Sequence, residues 1–96
     1  AAFRALFSRS PVKRIGRDRF IRNVAIALGN SGDPRVAPAL ERRLADASAV
    51  VRGAAVWALS RLSSPTRFAA LRRAAAASEA DDAVRAEWAQ AGATAR

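Results

Sequence analysis

DPRVAPALERR, residues 33–43, and SPTRFAALRRA, residues 64–74, are two versions of one pattern. At an offset of 31, Asp33 falls on Ser64, Pro34 on Pro65, Ala39 on Ala70, Leu40 on Leu71 and Arg42 on Arg73. The same offset carries Ala27-Leu28 onto Ala58-Leu59, and VVRGAA (50–55) returns as AVRAEW (83–88) at an offset of 33. Each unit opens with a side-chain cap followed by Pro. The cap satisfies a free helix N–H, and Pro at the first helical position has no N–H to leave unpaired. A helix pair of this length cannot bury its apolar face alone, so neighbouring pairs must stack. The fold class is therefore all-α, an α-solenoid of short helical hairpins with about six helices.

Working outward, the first helix spans about Ala2–Ser8 with Phe3, Leu6 and Phe7 on one side. It stops before Ser10-Pro11, because the residue before Pro avoids helical geometry. The second runs about Arg17–Asn30, with Phe20, Ile21, Val24, Ala27 and Leu28 as the inward stripe. Gly29 or Gly32 can take the left-handed cap that closes it. Asp33 caps the third, about Pro34–Asp46, which buries Val36, Leu40 and Leu44. Ser48 caps the fourth, about Ala49–Leu62, with Val51, Ala54, Ala55, Ala58, Leu59 and Leu62 on one face. Ser64 caps the fifth, about Pro65–Ala77, and Asp81 and Asp82 favour the start of a sixth, about Asp82–Ala93, that buries Val84, Trp88 and Ala91. All 96 residues read as one domain, with residues 1–32 as a basic leading segment and 33–96 as the repeats.

The chain has no Cys and no His, which removes disulfides, thiolate or imidazole metal sites, and the commonest general base. It has no Met, so it reads as a piece of a longer polypeptide. No apolar run approaches the roughly 20 residues of a membrane span. A cytoplasmic monomer is the expectation. Charge is uneven. Residues 1–32 hold seven basic residues and one acid, and residues 33–96 hold ten and seven, for a net +9. An excess concentrated in the first third suggests a face for a polyanion. An Arg-rich solvated surface is the plainer account, since sixteen of the seventeen basic residues are Arg.

The pattern D/S-P-x-x-x-x-A-L followed by S-x-x-V-R-x-A-A-x-x-A-L, over residues 33–96, resembles HEAT-like repeats. That names an architecture that serves many kinds of partner. The segment SPVKRIGRDRFIRNVAIALGNSGDPRVAPAL, residues 10–40, resembles the C-terminal part of bacterial epoxyqueuosine reductases. The shared elements are Ser10-Pro11, Lys13-Arg14, Gly16-Arg17, Arg22-Asn23 and Gly29-Asn30-Ser31-Gly32-Asp33. The resemblance implies an accessory domain that helps to hold tRNA for queuosine synthesis, joined to a catalytic domain of the same polypeptide. That parent enzyme would use cobalamin and iron–sulfur clusters. This chain, lacking Cys and His, is expected to bind no cofactor and to carry no catalytic residue.

Lys13, Arg14, Arg17, Arg19 and Arg22 are the candidate nucleic-acid contacts. The first three are expected in a loop that enters a helix, where free N–H groups also favour phosphate. Arg19 and Arg22 are one turn apart and can share a non-core face. Some of the five can instead pair with Asp18, Asp33, Glu41 or Asp46. Asn23 and Asn30 are read as ties for helix ends. Trp57 lies about a third of a turn off its helix's apolar stripe; it can stack on a base or an Arg, or cover the junction between repeats. Glu79, Asp81 and Asp82 are the one acidic cluster, and a helix N-terminus accounts for them without catalysis or metal. The rival reading for the whole chain is a protein–protein scaffold whose concave face binds a polypeptide.

Overall fold

The computed structural model describes the backbone of residues 11–94 and the side chains of residues 15–91. The helix expected over Ala2–Ser8 lies outside the described residues. Five α-helices follow: α1 (Pro11–Ser31), α2 (Ala37–Arg43, preceded by a 3-10 turn over Pro34–Val36), α3 (Ala49–Leu62), α4 (Pro65–Ala75, followed by a 3-10 turn over Ala76–Ser78) and α5 (Asp82–Thr94). There is no strand among the described residues. Helix α3 is the centre: α1 packs along one side, α5 along the other, and α2 and α4 complete the two hairpins.

The local signals act as read. Asp33 accepts from the Arg35 N–H at 3.0 Å, Ser48 Oγ from Val51 N–H at 3.4 Å, and Ser64 Oγ from Arg67 N–H at 3.1 Å. Asp81 Oδ1 accepts from Val84 N–H at 3.0 Å and Asp82 lies in the first turn of α5. The turn after α1 is closed by Gly32, whose φ of 72° is the left-handed region where a side chain is strained. Ser31 supports it, donating to Leu28 O at 2.6 Å and accepting from Asp33 N–H at 3.2 Å.

The core contains Leu40, Val51, Ala55, Val56, Leu59, Phe68, Val84 and Trp88, all buried, with Leu28, Val36, Leu44 and Leu62 half-buried at its edge. The Phe68 and Trp88 rings are tilted with centroids 5.3 Å apart, a favourable aromatic contact between α4 and α5.

Two expectations are corrected. First, α1 begins at Pro11, six residues before Arg17, so Lys13, Arg14 and Arg17 belong to the helix and not to an entering loop. The pyrrolidine ring that ends a preceding helix can also start the next one at its first position, and Gly16 weakens the run by only about 1 kcal/mol. Secondly, the inward face of α1 is turned. Phe20 is 68% exposed, Val24 41% exposed and Ala27 exposed, whereas Ala25 and Gly29 are buried and Ile21 is half-buried. The small residues face α3 because the two helices approach too closely for larger ones.

The repeats are also tied by charge. Arg17 of α1 donates from Nη1 and Nη2 to the two carboxylate oxygens of Asp46, at 3.1 and 2.9 Å, in the turn between α2 and α3. One repeat later, Arg52 of α3 donates from Nε and Nη2 to Glu79, both at 2.9 Å, in the turn before α5. Arg52 Nη1 also donates to the carbonyls of Asp46 and Ala47, at 2.9 and 3.2 Å. Thus each turn acid receives the guanidinium of a helix from the preceding unit.

Candidate nucleic-acid interface

Beside its core stripe, α3 carries Val50, Gly53, Ala54 and Trp57, with Ala54 and Trp57 at the margin of the core. With Arg22 and Ile26 of α1 and Ala83, Val84 and Glu87 of α5, these residues line an open groove of about 430 Å³. The helical period explains the lining. Positions 50, 54 and 57 recur every three or four residues on one side of α3, as do 19, 22 and 26 on α1. Trp57 is half-buried, which accounts for its place off the apolar stripe: it sits at the junction of repeats and faces the groove. Its ring edge lies against α1 at Gly29, where no Cβ would fit. The Arg61 guanidinium lies over the ring at 5.3 Å from its centroid, a cation–π contact.

The five basic candidates separate. Arg22 is exposed, lines the groove and donates to Asn23 Oδ1 at 3.1 Å. Arg19, one turn earlier on the same face, is exposed. Arg17 is engaged internally, bound to Asp18 at 2.8 Å and bidentately to Asp46. The Lys13 and Arg14 side chains lie outside the described residues, and their backbone forms the first turn of α1. Asn23 is mid-helix and meets Arg22, so it does not tie a helix end as expected. Ser31 does that work.

Reasoning from sequence did not select Arg61, although the Trp57–Arg61 spacing of four residues was available as a signal. Nor did it select Glu87, for which no local pattern exists. Most described carboxylates are occupied. Asp18 and Asp46 meet Arg17, Asp33 meets Arg35, Glu41 meets Arg67, and Glu79 meets Arg52. The Arg17 guanidinium, with a backbone N–H from Ser48, holds Asp46 below the usual carboxylate range, and Arg52 does the same for Glu79. Asp81 and Asp82 serve the start of α5. Glu87 makes no hydrogen bond or ion pair among the described residues.

The chain has no Cys and no His, the usual ligands of the iron–sulfur clusters that the resemblance implies for the parent enzyme.

A family profile described as HEAT repeats matches residues 17–92, most of the chain. The chain belongs to the HEAT-repeat family. It is also 48% identical over 52 residues to an epoxyqueuosine reductase of Xanthomonas campestris, a match covering 53% of this chain and 15% of that protein. It is 43% identical over 68 residues to an epoxyqueuosine reductase of Alicycliphilus denitrificans, covering 62% of this chain and 19% of that protein. The chain therefore spans less than a fifth of the length of these curated relatives. No solved structure matches it. A HEAT-repeat chain with this likeness fits a domain of epoxyqueuosine reductase. No described helix is long and apolar enough to cross a membrane.

Proposed function

We propose that this HEAT-repeat domain is a tRNA-binding accessory module of an epoxyqueuosine reductase-like enzyme of queuosine synthesis, acting in the cytoplasm beside a catalytic domain on the same polypeptide. The observation that carries the reading is the cationic margin of the groove. Arg19 and Arg22 on α1 are exposed, with Arg61 on α3 nearby, while Asp46, Glu79 and Glu41 are ion-paired with other arginines. Arg guanidinium pairs bidentately with phosphate oxygens and stacks on bases. Lys13 and Arg14 extend the basic character of α1 toward its N-terminus. Arg17 is assigned to the fold through Asp46. Such contacts position an RNA without reading its sequence.

The test is a filter-binding titration of the chain with unfractionated tRNA at several salt concentrations. Affinity should fall with a log–log slope of about −0.7 to −0.9 for each phosphate contacted. Arg19→Glu, Arg22→Glu and Arg61→Glu together should weaken binding to all tRNAs and flatten that slope, with the helical circular dichroism unchanged. Binding like wild type by a folded triple variant would refute the reading. The exposed Phe20, Val24 and Val50 are what a protein–protein scaffold would present, and a scaffold would show no salt-dependent tRNA binding.

A further inference from the structure

We propose that the groove between α1, α3 and α5 receives one unpaired nucleobase of the bound RNA, stacked on Trp57, with the Glu87 carboxylate accepting from an amino group on the base edge. This inference rests on the RNA-binding reading above and adds to it a base-recognition site.

Three observations carry it. The groove has a fixed aromatic wall. Trp57 is held at its edge by Gly29, and Arg61 stands over the ring without itself lining the groove. Base stacking on such a ring is tolerant of sequence, because every base has a π-face. The volume, about 430 Å³, lies within the range of small-ligand pockets.

The second observation is the sign of the charge inside. Arg22 stands on the α1 wall and Glu87 on the α5 wall. An acid within the groove opposes entry of phosphate, so the phosphates belong on the rim with Arg19, Arg22 and Arg61. What enters must be a neutral group that stacks and donates. A lone aromatic groove would accept many apolar occupants; a groove flanked by guanidinium groups and holding one acceptor fits the base of a nucleotide.

Thirdly, Glu87 has unused acceptor capacity. Among the described residues it has no partner, whereas the other acids are bound to Arg or serve a helix start. An ionised carboxylate only accepts hydrogen bonds. Adenine, cytosine and guanine each present an exocyclic amino donor. The uracil edge presents carbonyl oxygens on both sides of its single N–H, and those oxygens repel a carboxylate. The site should therefore favour an amino-bearing base over uracil.

The experiment titrates the chain with the single-stranded octamers rA8, rC8 and rU8, following tryptophan emission and affinity together. Trp88 is 2% exposed, so a change on binding reports Trp57. Emission should be quenched by rA8 and rC8, which should bind several-fold tighter than rU8. Trp57→Ala should lower affinity for rA8 by about 5- to 100-fold with the salt slope retained. Glu87→Gln should shrink the preference for rA8 over rU8, because an amide can donate to the uracil oxygens. A purely structural role for either residue would not move that ratio. Should Trp57→Ala unfold the chain, the emission change in the unaltered chain and the Glu87→Gln ratio still decide. Salt-dependent RNA binding with no emission change and no preference among the octamers would overturn this site and leave the RNA reading standing. Failure to bind any octamer or tRNA would overturn both. Emission quenched by a polypeptide and not by RNA would place a different occupant in the groove and overturn the proposal.

Discussion

A Cβ on Gly29 of α1 would stand 2.8 Å from Cζ3 of Trp57 and 2.9 Å from Cα of Ala58, both on α3. The glycine is a contact surface, not a turn residue; the left-handed position falls to Gly32. This close approach sets the depth to which α1 packs on α3, and it fixes the indole that walls the groove.

Gly29→Ala should therefore destabilise the chain. A methyl group here meets backbone as well as a ring, and overpacking of this kind costs about 1–3 kcal/mol, more than the roughly 1 kcal/mol gained from the better helix former. Gly53→Ala is the control. The nearest atom to its Cβ would be Val84 Cγ2 at 3.9 Å, ordinary contact. That variant should gain about 0.5–1 kcal/mol. Urea unfolding of the two should give shifts of opposite sign.

Leu40→Ala should cost about 2–5 kcal/mol, the range for a buried Leu whose site relaxes incompletely. Leu40 is among the most fully enclosed side chains and is the residue on which the repeat alignment turns. A shift below about 1 kcal/mol would show that α2 repacks or is dispensable.

Arg17 and Arg22 should respond differently to the same substitution. The Asp46 side chain is only 3% exposed and also accepts from Ser48 N–H at 2.9 Å. Arg17→Glu leaves it facing a like charge, and loss of a charged, partly buried hydrogen-bonded pair should cost about 1.5–3 kcal/mol. Arg22→Glu lies on an exposed face, where changes usually stay within about 0.5 kcal/mol. Thermal melts should separate the two, while tRNA affinity should fall for Arg22→Glu with the fold intact.

Acid should weaken the fold through the two turn carboxylates. Asp46 and Glu79 titrate below the ordinary range of about 4 in the folded chain, because Arg17 and Arg52 favour their charged forms. The unfolded chain then binds protons first as pH falls. The stability these groups contribute is complete above about pH 5 and is lost as pH drops through 4 toward their lowered folded values. Asp46→Asn and Glu79→Gln together should flatten the dependence of the melting temperature on pH between about 5 and 3. An unchanged profile would show that the pairs add nothing to folding.

The sequence by itself determined the repeat, the helix hairpins and their starts. Those features depend on residues close together in the chain: Asp33, Ser48 and Ser64 each satisfy an N–H within three residues, and α3 runs Ala49–Leu62 as its period requires. Tertiary structure alone decided which face of α1 turns inward. Hydrophobicity favours Phe20 and Val24, but the close approach of α1 to α3 puts the small Ala25 and Gly29 at the buried contact, and interhelical distance is not encoded in the periodicity of one helix. It also decided the use of the charges. Arg17 meets Asp46 29 residues on, and Arg52 meets Glu79 27 residues on. Arg17, Arg19 and Arg22 look alike in a run of basic residues. Only the stacking of one repeat on the next commits Arg17 to a buried acid and leaves Arg22 lining the Trp57 groove with Arg19 one turn away on the same exposed face, because helical rotation puts Arg17, two residues from Arg19 and five from Arg22, on a different side.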